Sequence, residues 1–198
     1  MQNVIVNDCI GGYLYRLAGV KFPNPFIWTA VGFESFLYLI QNFDSLDFED
    51  YLIVRHPSDR RLFNIVIADK VIVKCPHWLF DVKYNKPTRV DSVNIHYNRI
   101  WLYIADKYAA RLSRMRKLGA PPVFIMDFKD WLDCSKDKLK VLFESSDSIL
   151  YPLYVLVPYK ELGGHRVGNI TMLYDSDFDT HTTEYRAKKL WDRGLIKV

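Results

Sequence analysis

Val4-Ile5-Val6-Asn7-Asp8-Cys9-Ile10-Gly11-Gly12 is the stretch on which the fold turns. Its opening apolar run is short and continuous, the pattern of a buried strand. Ile10, Leu14, Leu17 and Ala18 then recur at helical spacing and predict one apolar helix face. Asn7 and Asp8 are both N-cap residue types, so strand gives way to helix within a few residues. Cys9 stands in that turn. A turn of this kind exposes unpaired backbone N–H groups and the positive end of a helix dipole.

Outward from this unit, the same alternation of strand and helix continues. Phe22-Pro23-Asn24-Pro25 predicts an extended connection, because residues before proline avoid the helical region. Phe33, Phe36, Leu37 and Ile40 predict a helix that stops at Asn42. Tyr51–Val54 reads as a strand. Phe63, Ile65 and Ile67 alternate, and Asp69-Lys70 turns the chain into Val71-Ile72-Val73 as a hairpin. Asn85–Asp91, with Pro87, reads as a loop, and Val93–His96 as a short strand. Trp101, Ile104, Ala105, Tyr108, Leu112 and Met115 mark a long helix ended by Gly119 and Pro121-Pro122. Val123–Met126 is a strand of the central, parallel type, ending in Asp127. Ser135 caps a helix with face Leu139, Leu142 and Phe143. Leu153–Val157 and Ile170–Tyr174 are further strands, and Ala187, Leu190 and Trp191 mark a last helix stopping at Gly194. This order predicts an α/β fold over residues 1–198: a layered, mostly parallel sheet flanked by helices, with an added antiparallel hairpin, in a single domain.

Composition narrows the function classes. The chain has 198 residues, 49% of them hydrophobic, enough for a sizeable core. No apolar segment has the length to span a bilayer, which predicts no membrane insertion. No signal-peptide pattern opens the chain. Three cysteines, Cys9, Cys75 and Cys134, are odd in number and widely spaced. That argues against a disulfide framework and predicts a reducing, cytoplasmic location. The net charge of +4 permits an anionic partner without requiring one.

Three constellations could carry chemistry. The first is Cys9 with His96 and Asp127. A helix start lowers a thiol pKa, a nucleophilic thiol needs a base, and the base needs an orienting group. Gly11 and Gly12 leave the first turn bare for a substrate carbonyl or phosphate. The other reading of Cys9 is a buried filler, with glycines that permit close packing. The second is Asp175-Ser176-Asp177-Phe178-Asp179, where alternating carboxylates could hold a divalent metal and, through it, a sugar nucleotide. The other reading is an acidic lead into the last helix. The third is the basic helix face Lys107, Arg111 and Arg114, which could meet the phosphates of a nucleic acid or other anion, or simply be solvated. Cys75-Pro76-His77 has too few ligands for structural zinc, and Gly163-Gly164-His165 reads as a turn.

The ordered set Asn7–Gly12, Phe22 with Pro25-Phe26, Ile95-His96-Tyr97, Trp101 with Arg111 and Arg114, and Val123–Asp127 resembles an uncharacterised bacterial family of exopolysaccharide-biosynthesis proteins. Asp8 stands where that family commonly has asparagine, and the final third diverges. The set is distantly similar to papain-like cysteine peptidases, although Pro25-Phe26-Ile27-Trp28 lacks their aspartate. It also resembles capsule-biosynthesis acyltransferases, which implies coenzyme A as a possible cofactor. The resemblance implies Cys9 as nucleophile and His96 as base. Gly11, Gly12, Trp28, Tyr97, Arg111 and Arg114 are then the candidates to hold substrate, with Ile10 and Gly11 N–H groups at the oxyanion. The expected function is cysteine-dependent acyl transfer or hydrolysis on a carbohydrate. The alternatives are a metal-dependent glycosyltransferase with Asp175 and Asp177 at the metal, and a non-enzymatic module for an anionic partner.

Overall fold

A computed structural model describes residues 2–55, 63–74, 80–81, 86–87, 97–129, 132, 134–176 and 182–194. In chain order the elements are β1 (Asn3–Val6), α1 (Ile10–Leu17), β2 (Ala30–Val31), α2 (Phe33–Asn42), β3 (Tyr51–Arg55), β4 (Phe63–Ile67), β5 (Val71–Lys74), β6 (Phe80–Asp81) and β7 (Lys86–Pro87). They continue as α3 (Tyr97–Leu118), β8 (Pro122–Asp127), α4 (Lys136–Glu144), β9 (Leu153–Val157), β10 (Arg166–Val167), β11 (Ile170–Tyr174) and α5 (Thr183–Asp192).

The chain is an α/β fold. Strands β1, β8, β9 and β11 run parallel, in the order β1-β8-β9-β11, and β10 closes the far edge antiparallel. The apolar runs of β1, β8 and β9 are buried on both faces, which is why they read as continuous rather than alternating. Asp127 pairs with Leu156, and Leu156 with Leu173, so the parallel strands end nearly level. Asp8, Asp127 and Asp175 therefore leave the sheet along one carboxyl edge.

β1 is the other border of this sheet, and its outer side is occupied. The Tyr15 hydroxyl accepts from the Val4 amide at 2.7 Å, and Asn24 Nδ2 donates to the Val4 carbonyl at 2.9 Å. An exposed strand border is a template for unwanted pairing, and these side chains cover it.

A second sheet, β2-β5-β4-β3, is antiparallel throughout. Its β4–β5 hairpin turns where expected, through the three residues 68–70, with Ala68 and Asp69 at φ 47 and 54, the left-handed region that tight hairpin turns use. One hydrophobic core includes residues of both sheets. Phe36 and Phe43 from the α2 region meet Phe124 of β8 with ring centroids 6.0 and 5.6 Å apart.

Three local expectations are corrected. Leu17 is 42% exposed, because Tyr15 takes its place on the buried face of α1. Lys86–Pro87 is not loop but pairs with Phe80–Asp81. Ser135 occupies the cap position of α4, yet its side chain makes no capping bond. The expected strand at Val93–His96 lies outside the described residues.

Candidate functional site

Asn7 joins the turn to the sheet. Its Nδ2 donates to the Asp127 carbonyl at 3.1 Å, and its Oδ1 accepts from the Asp127 amide at 2.7 Å. The side chain thus continues the β1–β8 ladder one step past the end of the strand. The Asn7 carbonyl accepts from the Val31 amide at 2.9 Å, tying in the second sheet. With Asn7 wholly buried, each of these bonds satisfies a group that water cannot reach.

Below the turn lies a buried set of charges. Arg186 of α5 reaches the sheet edge with its side chain fully buried. Its Nη1 and Nη2 fork onto both oxygens of Asp127 at 2.8 Å each, and its Nε donates to Asp175 Oδ2 at 2.6 Å. Burial works against the guanidinium charge, but bonds and charges from Asp127 and Asp175 outweigh it and push the Arg186 pKa above its ordinary value. Lys129 Nζ lies 3.5 Å from Asp127 Oδ2. Among the described residues Asp127 and Asp175 thus face Arg186 and Lys129, and Lys129 also opposes, without cancelling, the upward push on Asp8.

The surroundings of Asp8 favour its protonated form. Burial, then the charge of Asp127 and a hydrogen bond to it, push the Asp8 carboxyl well above its ordinary value of 3.8. Its Oδ1 accepts from the Ile10 amide at 2.7 Å. A neutral carboxyl so placed presents one acceptor and one donor, as an amide side chain would. The unfolded chain releases this proton near 3.8, while the folded chain keeps it. Stability is thus lost as pH rises from about 4 until the folded group itself ionises. Asp8→Asn should flatten that loss. Urea melts from pH 4 to 8 should show the variant gaining on the native chain as pH rises; a constant difference would refute the protonated Asp8.

Cys9 sits directly above, half-buried, at the cap of α1. Its thiol is pushed up to about 12 by burial and, where Asp8 is ionised, by that charge, against an opposing pull from Lys129. The helix-start position does not make a standing thiolate here. Tyr13 shares the neighbourhood: its hydroxyl is raised by partial burial, then by the charges of Glu184 and Cys9.

The structure redistributes the other candidates. The first turn is not bare. A Cβ on Gly12 would lie 2.3 Å from the Trp28 ring, and one on Gly11 2.9 Å from Val6. Trp28 is 3% exposed, with Tyr13 edge-on at 4.7 Å, so it is a packing residue rather than a substrate contact. The Ile10 amide is taken by Asp8, which removes it as an oxyanion donor. Asp127 spends both oxygens on Arg186 and so is a poor orienter for a histidine. Arg111 is buried, not solvated. It donates to the Ile27 carbonyl and lies over the Phe22 ring, while Arg114 Nε donates to the Phe22 carbonyl at 2.7 Å. Both arginines hold the Phe22–Trp28 connection instead of reaching a phosphate. Asp175 bonds a guanidinium, and a dication there would meet that positive charge at close range, so the residues present do not fit a metal at Asp175. Among the described residues no group of three or more His, Cys, Asp or Glu could hold a metal ion. His96, Asp177, Cys75 and His77 lie outside the described residues, and Tyr97 is described as the backbone start of α3.

Arg186 is the residue that sequence reasoning missed. Its signal was present: it lies one turn before Leu190 and beside Ala187, on the apolar stripe of its helix. A charged residue in that stripe points at a buried partner. No helix among the described residues is long and apolar enough to cross a membrane. No family model matches the chain, and no curated protein matches it.

Proposed function

We propose that the chain is an enzyme that moves an acyl group through Cys9, by transfer or hydrolysis, with a carbohydrate as substrate. The observation that supports this reading is the position of Cys9: a half-buried thiol on the carboxyl edge of a parallel sheet, at a turn clamped by Asn7 and underlain by paired charges. Ligands of open α/β sheets collect outside that edge. With its pKa pushed up to about 12, the thiol is protonated at rest. It becomes a nucleophile only when a base takes its proton, and His96 is the candidate base. The sulfur then bonds to the acyl carbon, the leaving group departs with a proton, and a sugar hydroxyl or water releases the thioester. Lys129, which favours the charged sulfur, eases the first step.

Cys9→Ala should abolish turnover of acylated saccharides and the acyl adduct seen by intact mass. Turnover that survives the substitution would overturn the proposal. In the free protein, Cys9 alkylation by iodoacetamide should be slow at pH 7 and rise about tenfold per pH unit, tracking the thiolate fraction. Peptide mapping would read this rate; a pH-independent rate would contradict the protonated thiol.

A further inference from the structure

A cavity of about 340 Å³ opens between the end of β11, the Gly163-Gly164 turn and the last turns of α5. Lys160, Lys189 and Arg193 line it, beside Arg186 with its partner Asp175. Lys160 and Arg193 are exposed and have no carboxylate partner among the described residues. The carboxyl end of a helix favours cations by itself, which accounts for Lys189 and Arg193. It does not account for Lys160, which approaches from the segment after β9. Cations from two separate segments converging on one concavity raise the local potential for an anion. The floor is apolar, with Leu156, Met172 and Leu190. The volume exceeds what a bare inorganic anion needs and lies within the range of small-molecule sites.

We infer that this cavity binds a phosphate-bearing small molecule of nucleotide size, its phosphates on Lys160 and Arg193, beside Lys189, whose Nζ donates to Ser176 Oγ at 3.0 Å, and its body over the apolar floor. The turn does not act as a phosphate-cradling loop. The Gly163 amide donates to the Lys160 carbonyl, and the Gly164 amide to the Met172 carbonyl. The turn is instead a thin wall: a Cβ on Gly163 would lie 2.7 Å from that of Tyr174. Side-chain cations therefore do the recognition, and the inference stands independently of Cys9.

The test is calorimetric titration of the full chain with ADP, inorganic pyrophosphate and adenosine. ADP should bind, pyrophosphate more weakly, and adenosine at least tenfold more weakly than ADP, with all phosphate-dependent binding weakened by salt. The double variant Lys160→Ala, Arg193→Ala should lower ADP affinity by about tenfold or more. Both positions are exposed, so the variant should melt like the native chain. Lys188→Ala, which removes an exposed lysine paired to Asp192 outside the cavity, should bind as the native chain does. Three results would each overturn the inference: no binding of ADP or pyrophosphate at millimolar concentration, equal affinity in the double variant, or adenosine binding as tightly as ADP.

Discussion

Arg186→Met is expected to lower the unfolding free energy by about 3–5 kcal/mol, because it strands buried carboxylates without a counter-charge. The lost fork reaches Asp127, wholly buried, and Asp175, 8% exposed. In a domain of this size the melting temperature should fall by roughly 10 °C. Arg186→Lys keeps the charge but not the planar fork, and should fall between the native chain and the methionine variant. Adding Asp127→Asn and Asp175→Asn to Arg186→Met should recover part of the loss, since the stranded charges are then gone. Thermal and urea melts decide the matter. If Arg186→Met melts within about 1 kcal/mol of the native chain, the charge pairing is not what secures α5 to the sheet.

Gly12→Ala is the second large effect. In an exposed helix this substitution stabilises by about 1 kcal/mol. Here the added methyl would lie 2.3 Å from two atoms of the Trp28 ring, which is itself buried. The ring must move, and crowding of a packed core costs about 1–3 kcal/mol or more. The crowding term wins, and the net expectation is a loss of about 2 kcal/mol, with a shift in tryptophan emission. The loss should shrink when Trp28→Leu makes room, which a double-mutant cycle would measure. A stabilised Gly12→Ala would show that the ring yields freely.

The layered architecture was legible because its evidence is local. The apolar runs at Val4–Val6, Val123–Met126 and Leu153–Val157 state their burial in their own composition, and the β4–β5 turn is adjacent to both its strands. The site was legible only in part. Cys9, Asp127 and Asp175 could be singled out as strand-end residues, and the carboxyl edge does collect them. What each does there depends on partners distant in the chain. Gly12 reads as an open turn until Trp28 closes over it. Arg111 and Arg114 read as a solvated stripe until the Phe22–Trp28 connection packs beneath them. Asp8 reads as a helix cap, and it does bond the Ile10 amide. The upward push on its carboxyl follows from its burial and from Asp127 arriving beside it. An asparagine at this position would offer the same donor and acceptor.

The covered flank of β1 has a consequence for how copies of this chain meet. With the Val4 amide and carbonyl engaged by Tyr15 and Asn24, an incoming foreign strand finds the middle rung of β1 already taken. Lateral growth of the parallel sheet is left to β10, whose Arg166 and Val167 face water. Two residues are a short landing, and a guanidinium on it repels its own duplicate. The parallel sheet should therefore resist ribbon-like stacking in crowded solution for as long as α1 stays docked.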